Sequence, residues 1–324
     1  MHAGFSWAIQ AGFRSMALPE GLTYTDRFLA MGGLGRIIID GLEKSRFQLV
    51  VSAAKAHIEL LEARYSRYRA NSLISTINAR AGSGLWTEVD HDTNWLFDAA
   101  SALFEASGGA FDITSGVYRR VWDFRDPRAV TPTQGEIDRC RELVSWPVVQ
   151  RRRLGPYAEI HLPVAGMELD FGGLAKEFAI DKVCELLISM GVSSALVDLA
   201  GDIRVIGARE TGEPWLIGIA NPMPKQKVEI EIAQIPVVNL AVTTSGNYAR
   251  YQLKDGRRLG HILDARTGWP VEHWDSVTVV GAYAIQAGGL STLAMLGGLQ
   301  SLSLLRSSGL RFLAIDKDGE RYIN

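Results

Sequence analysis

Hydrophobic and polar positions along the chain follow two rhythms, one near 3.6 residues and one of two, and the switch between them marks its organisation. "GRIIIDG" (35–41) is a β-branched run suited to a buried strand. "FQLVVSAAKAHIELLEARYSRY" (47–68) and "DTNWLFDAASALFEASGG" (92–109) read as helices, the second with Asp92 available to cap it and Gly108-Gly109 to stop it. A third helix is predicted over Ala175–Met190. There Ala179, Val183, Leu186, Leu187 and Met190 line one apolar face, and Gly191 supplies the stop. From Ala195 onward the pattern turns to strands: "ALVDLAGDIRVIG", "PWLIGIAN", "KVEIEIA", "VVNLAVTTS", "LGHIL" and "SVTVVGA". A last helix from Gly289 to about Gly297 and a closing strand "RFLAID" complete the chain. Such β runs bracketed by helices predict an α+β fold with largely antiparallel sheets and packed helices. Residues 1–27 read as an N-terminal extension and 28–324 as one domain, without internal repeats or low-complexity linkers.

Composition narrows the partners. The 324 residues are 47% hydrophobic and 22% charged, enough to bury a sizeable core. Lys plus Arg (34) nearly balance Asp plus Glu (36), and no block of like charge marks a nucleic-acid or anionic-membrane surface. Cys140 and Cys184 form no CxxC and fall in helix-like stretches, so buried inert thiols are expected rather than a zinc site or a disulfide framework. No apolar run approaches the about 18 residues that cross a bilayer. The N-terminal stretch lacks a basic segment ahead of an apolar one, and a cytoplasmic location is the expectation.

"LDFGGLAKEFAID" (169–181) carries the chemistry. Its Asp170-Phe171-Gly172 matches the magnesium-holding tripeptide of protein kinases, but no GxGxxG loop, VAIK strand or HRD loop accompanies it. Read physically, Asp170 ends an apolar strand, Gly172 and Gly173 permit close backbone approach, and Lys176 lies in the first helical turn. A glycine turn beside a helix N-terminus suits a phosphate or its metal ion. A corner of this kind also forms without any ligand.

Eight stretches in register resemble the ApbE family, the FAD:protein FMN transferases: "MGGLG" (31–35), "SRYRANSLISTIN" (66–78), "GGAFDITSGVYRRVWDF" (108–124), "LDFGGLAKEFAIDKV" (169–183), "LAGDIRVIG" (199–207), "TTSGNYARY" (243–251), "GHILDARTGWPV" (260–271) and "SVTVVGA" followed by "GGLST" (276–292). The resemblance implies an ApbE-like α+β fold that binds FAD as substrate. A magnesium ion on the diphosphate would assist a threonine or serine hydroxyl of a target flavoprotein, which takes FMN as AMP departs. Such phosphoryl transfer rests mainly on positioning and charge neutralisation.

By the same resemblance, Met31 lines the flavin or adenosine pocket, Tyr68 offers an aromatic face to FAD, and Ala110, Phe111 and Asp112 form a cofactor-contacting loop. Asp170 and Lys176 contact FAD, and the Gly173 carbonyl is a magnesium ligand. His261 is the candidate catalytic group, an imidazole able to take the proton of the attacking hydroxyl, with Asp264 or Arg266 to orient it or the phosphates and Ile262 as an apolar wall. Thr244, Ser245 and Gly246 supply short hydroxyls on a turn. Each position has a plain structural alternative: Met31 as core filler, Asp112 as an Asx-turn residue, His261 as a packed histidine.

Gly33 stands where the family's Met-Gly-Thr pattern has threonine, and a second departure bears on the metal. Where the family has Ala-Asp-Ala-Leu-Ser-Thr, with the aspartate and threonine both on magnesium, this chain has Ala287-Gly288-Gly289-Leu290-Ser291-Thr292. Thr292 remains as a metal ligand and the carboxylate is gone. Three explanations stand open: another carboxylate such as Asp202 or Asp264 substitutes, the diphosphate and waters suffice, or the chain holds or slowly hydrolyses FAD without transferring FMN. If loss of metal is the defect, Gly288→Asp should raise activity.

Overall fold

The computed structural model describes residues 22–154, 157–222, 231–254 and 256–324. β1 (Thr23–Ala30) and β2 (Gly33–Asp40) form an antiparallel hairpin through a two-residue turn. Met31 and Gly32 both take positive φ there, 52° and 73°, which is the type I′ geometry that matches strand twist. Residues 23–27, read from sequence as extension, therefore belong to the sheet. Residues 1–21 lie outside the described residues.

After the hairpin come α1 (Lys44–Tyr65), α2 (Leu73–Ala79), β3 (Thr87–Val89), α3 (His91–Ala106), α4 (Gln134–Arg141), β4 (Gln150–Leu154) and β5 (Tyr157–His161). The first strand of this group pairs with the third to make a small sheet ordered β3-β5-β4. The cap of α3 is Asp90, whose side chain accepts from Thr93 N–H, and not Asp92, which lies inside the first turn. α5 (Ala175–Ser189) follows the Gly-Gly corner as predicted.

The β-rich half comprises β6 (Ala195–Leu199), β7 (Asp202–Ile206), β8 (Trp215–Ala220), β9 (Glu231–Val237), β10 (Ala241–Gly246), β11 (Tyr251–Lys254), β12 (Arg257–Gly260), β13 (Leu263–Asp264), β14 (Trp269–Pro270) and β15 (Trp274–Gly281). It closes with α6 (Ala284–Gly297), α7 (Ser301–Ser307), β16 (Arg311–Asp316) and β17 (Arg321–Ile323). Of "KVEIEIA", only 231–233 are described. "LGHIL" breaks after Gly260, leaving His261 between β12 and β13. Thr244–Gly246 lie within β10, not on a turn.

Eight strands build one antiparallel sheet in the order β1-β2-β6-β7-β10-β15-β16-β17. Period-two alternation gives it two apolar faces. Leu196, Val205, Val242, Val280 and Leu313 face the β8–β9 hairpin, whose Trp215, Ile217 and Ile219 point inward while their neighbours stay outside. On the opposite face Ile37, Ile39, Val197 and Ala241 pack with α1 and α5. Val277, Val279, Phe312 and Ala314 pack with α6 and α7. Cys140 and Cys184 are buried free thiols.

The last long helix begins five residues before its predicted start, so Gly288 and Gly289 lie inside it. The stretch Ala284–Ser307 has the length and composition of a membrane-crossing helix, yet it spans α6, a short 3₁₀ turn and α7, and half of its apolar window is buried against the fold.

Candidate active site

Two tight turns meet at one end of the large sheet. Ala200 and Gly201, with φ of 53° and 94°, join β6 to β7, and the Ala200 N–H donates to the Leu34 carbonyl at 2.9 Å. A Cβ on Gly33 would stand 2.5 Å from the Ala200 Cβ, so the strand beside Met31 cannot carry a side chain there. Met31 itself packs half-buried on the core, and its N–H donates to Glu62 Oε2 at 3.0 Å. The Arg250 guanidinium donates to the Gly32 carbonyl at 3.1 Å, and the Arg250 carbonyl accepts from the His261 N–H at 3.1 Å. The turn at Met31 and the histidine segment are thus tied through one residue.

The Gly-Gly corner stands beside these turns. Asp170 accepts from Gly172 N–H at 2.9 Å and pairs with Arg67 at 2.7 Å. Arg67 in turn lies over the ring of Tyr68, 5.1 Å from its centroid, and Tyr68 is 70% exposed, a free aromatic face. Phe111 reaches the corner from the loop after α3: a Cβ on Gly173 would lie 3.1 Å from its ring, which is why that position carries no side chain. Ala110 is buried and its carbonyl accepts from Ala265 N–H, joining that loop to the segment after β13.

Asp112 behaves differently from its neighbours. Its Oδ1 accepts from Thr114 N–H at 2.7 Å and Thr114 Oγ1 at 2.6 Å, and its Oδ2 from Trp146 N–H at 2.8 Å. Its carboxylate is spent on an Asx-type turn and on anchoring Trp146, the structural alternative open in the sequence. Asp264 is likewise engaged, by the N–H, Nε and Nη2 of Arg266.

Past the corner, Lys176 pairs with Asp202 Oδ2 at 2.5 Å and lies 3.7 Å from Glu177 Oε1. Burial alone would lower the lysine's pKa, but Asp202 and then Glu177 hold it above the ordinary lysine value. Asp202, 3% exposed, also accepts from Thr244 N–H through Oδ1 at 2.8 Å. Next along β10, Ser245 Oγ is 2.7 Å from Ser291 Oγ and 3.3 Å from Thr292 Oγ1 on α6. One polar network therefore runs from Lys176 through Asp202 and β10 to Thr292. His261 borders it: burial, then Arg250 and Lys176, push the imidazole down to about 4, and its buried Nδ1 has no hydrogen-bond partner. Ile262 packs half-buried on the core around Trp274.

Glu177 is the site residue that sequence reading missed. It is 7% exposed, its Oε2 has no partner, and burial pushes its carboxyl pKa up, Lys176 opposing and Asp202 adding to the rise. A Cβ on Gly288 would stand 2.6 Å from Glu177 Cγ and 3.2 Å from its carboxyl carbon. The space a side chain at 288 would take is thus filled from the facing helix. Gly288→Asp alone would drive two side chains into one space, so the gain in activity expected from sequence does not follow. Among the described residues no three His, Cys, Asp or Glu gather as a metal-binding group. A hard cation here would rest on hydroxyl, carbonyl and phosphate oxygens with one or two carboxylates.

Comparison with known proteins gives a consistent outcome. The sequence model described as the ApbE family matches residues 31–314. The chain is similar to the FAD:protein FMN transferase of Treponema pallidum, 33% identical over 255 residues, 74% of this chain and 69% of that protein. It is similar to the FAD:protein FMN transferase of Salmonella typhimurium, 26% identical over 297 residues, 90% of this chain and 84% of that protein. Among solved structures, the ApbE protein from Thermotoga maritima superposes with a TM-score of 0.83 at 28% identity, covering 93% of this chain and 97% of that one. The flavin transferase ApbE from Vibrio cholerae does so with a TM-score of 0.80 at 25% identity, covering 94% and 97%.

Proposed function

The chain belongs to the ApbE family, and we propose that it is an FAD:protein FMN transferase that moves FMN from FAD to a threonine or serine hydroxyl of a target flavoprotein. The acceptor oxygen bonds to the phosphorus on the flavin side of the diphosphate. The bridging P–O bond breaks and AMP leaves with the bridging oxygen. The single observation that carries the reading is the network joining Lys176, Asp202, Ser245 and Thr292 beside a neutral His261 whose Nδ1 has no partner.

Each group has a part set by its surroundings. Lys176 is held charged, a fixed cation for the diphosphate. Tyr68 offers its open ring to a planar group, and Phe111 walls the approach to Gly173. His261 enters as free base with an open Nδ1, and a bound diphosphate would offset the Arg250 and Lys176 charges that depress it, making it a better acceptor for the hydroxyl proton. The Thr292 hydroxyl, the Gly173 carbonyl and the orphan carboxylate oxygen of Glu177 are the hard oxygen donors that would hold a magnesium ion. When bound, that ion would neutralise diphosphate charge and the leaving oxygen.

Purified protein incubated with FAD, magnesium and candidate flavoproteins should yield flavin fluorescence that stays with the target in a denaturing gel, with AMP released in equal amount. Stoichiometric FAD binding with neither product under any divalent ion would leave only a flavin-holding protein.

A further inference from the structure

The residue at 288 is glycine where the family has its metal-binding aspartate, and the space above it is not empty. Glu177 reaches across from α5, placing Cγ 2.6 Å, the carboxyl carbon 3.2 Å and Oε1 3.4 Å from where a Cβ at 288 would stand. From these distances we infer that the Glu177 carboxylate supplies the divalent-cation ligand missing at 288, the carboxylate having moved from α6 to the helix that faces it.

Four observations support the assignment, which rests on the transferase reading above. Oε1 already faces Lys176, whereas Oε2 is buried without a partner. A carboxylate oxygen taken out of water with nothing bound to it is costly and calls for an occupant. Thr292 lies four residues after Gly288, so both face the same side of α6. The Ser291 hydroxyl that donates to the Gly288 carbonyl also meets Ser245, and Ser245 meets Thr292, which keeps the threonine hydroxyl beside the vacated position. Gly289, by contrast, has its Cβ position 3.2 Å from Leu103 on α3, so the two adjacent glycines serve different neighbours, and 288 alone opens onto Glu177.

The test is Mn2+ titration of the full chain, free Mn2+ being followed by electron paramagnetic resonance, with the rise of Tm on adding Mg2+ as a second readout. Wild type should take one ion, and Glu177→Gln, which keeps the packing, should bind at least 10-fold more weakly and lose the Tm rise. The double variant Glu177→Gly with Gly288→Asp, which returns the carboxylate to α6, should recover affinity to within a few-fold of wild type. Wild-type affinity in Glu177→Gln, or a wild type that binds no Mn2+ even with FAD, would overturn the assignment. FMN transfer measured on the same samples separates the two readings. Transfer that persists with unchanged metal affinity in Glu177→Gln removes the role of Glu177 and leaves the transferase standing. Metal binding through Glu177 without any transfer to target protein does the reverse.

Discussion

Two carboxylates, four residues apart on α5, both face α6, and the fold treats them in opposite ways. Asp181 is satisfied at every turn: Oδ1 accepts from Ala284 N–H at 2.9 Å and from Arg204 at 2.7 Å, and Oδ2 accepts from Ile285 N–H at 3.0 Å. It caps a helix whose own N-cap residue, Tyr283, provides no side-chain bond. Glu177, one turn earlier, packs over Gly288, and its Oε2 is bonded to nothing. A carboxylate the architecture needs is built into hydrogen bonds, while one meant for a ligand keeps an open oxygen until the ligand arrives.

The largest expected effect tests the Asp181 side of this contrast. Asp181→Ala would strand the Arg204 guanidinium and two N–H groups of α6, and a buried pair broken in this way costs about 3–5 kcal/mol. Urea unfolding of the metal-free protein should show that loss, whereas Glu177→Gln should change stability by about 1 kcal/mol or less, since it gives up only the long 3.7 Å pairing with Lys176. Equal losses would erase the distinction.

Next in size is the second unpartnered group. His261→Asn should lower FMN transfer about 100-fold or more, the usual worth of a positioned proton acceptor. FAD affinity and unfolding free energy should stay near wild type, because Nδ1 holds nothing in the fold. A variant that loses stability but transfers normally would make His261 a packing residue.

A smaller effect measures the contact itself. Gly288→Ala places a methyl group 2.6 Å from Glu177 Cγ and should cost about 1–3 kcal/mol. Combining it with Glu177→Gly should recover most of that loss. A double-mutant cycle additive to within about 0.5 kcal/mol would mean the two positions do not share the space.

These expectations also mark what the sequence could disclose. β8 was legible because Trp215, Ile217 and Ile219 alternate with exposed positions, and α5 because its apolar spacing is helical. The start of α6 was not, since Gly288-Gly289 reads as a break and the cap that holds the helix comes from Asp181, a hundred residues away. Residues 23–27 of β1 read as extension because their polar side chains conceal a strand held by pairing with β2. Lys176, Thr292 and His261 were found as single positions, and only the fold could show that Asp202 and Ser245 join the first two. Glu177 read as an ordinary acid in a first helical turn. Its spacing to Ile180, Asp181 and Cys184, all buried, was the signal that it faces inward.

The smallest effect is a pH dependence, with opposite signs for the two unpartnered groups. The His261 imidazole is depressed from 6.5 to about 4, so between those values the unfolded chain binds a proton that the folded one resists. Its contribution to stability therefore falls as pH drops through that window, and His261→Asn should remove the fall. Glu177 is raised above 4.5 in the folded protein, so the stability it contributes is complete below pH 4.5 and is lost as pH rises above it. Glu177→Gln should cancel that loss, and the metal-free variant should gain on wild type toward neutral pH by on the order of 1 kcal/mol. Magnesium should reverse the difference by ionising the carboxyl it binds. If the variant and wild type instead keep a constant difference across this range, the Glu177 carboxyl is already ionised and already partnered, and its contrast with Asp181 disappears.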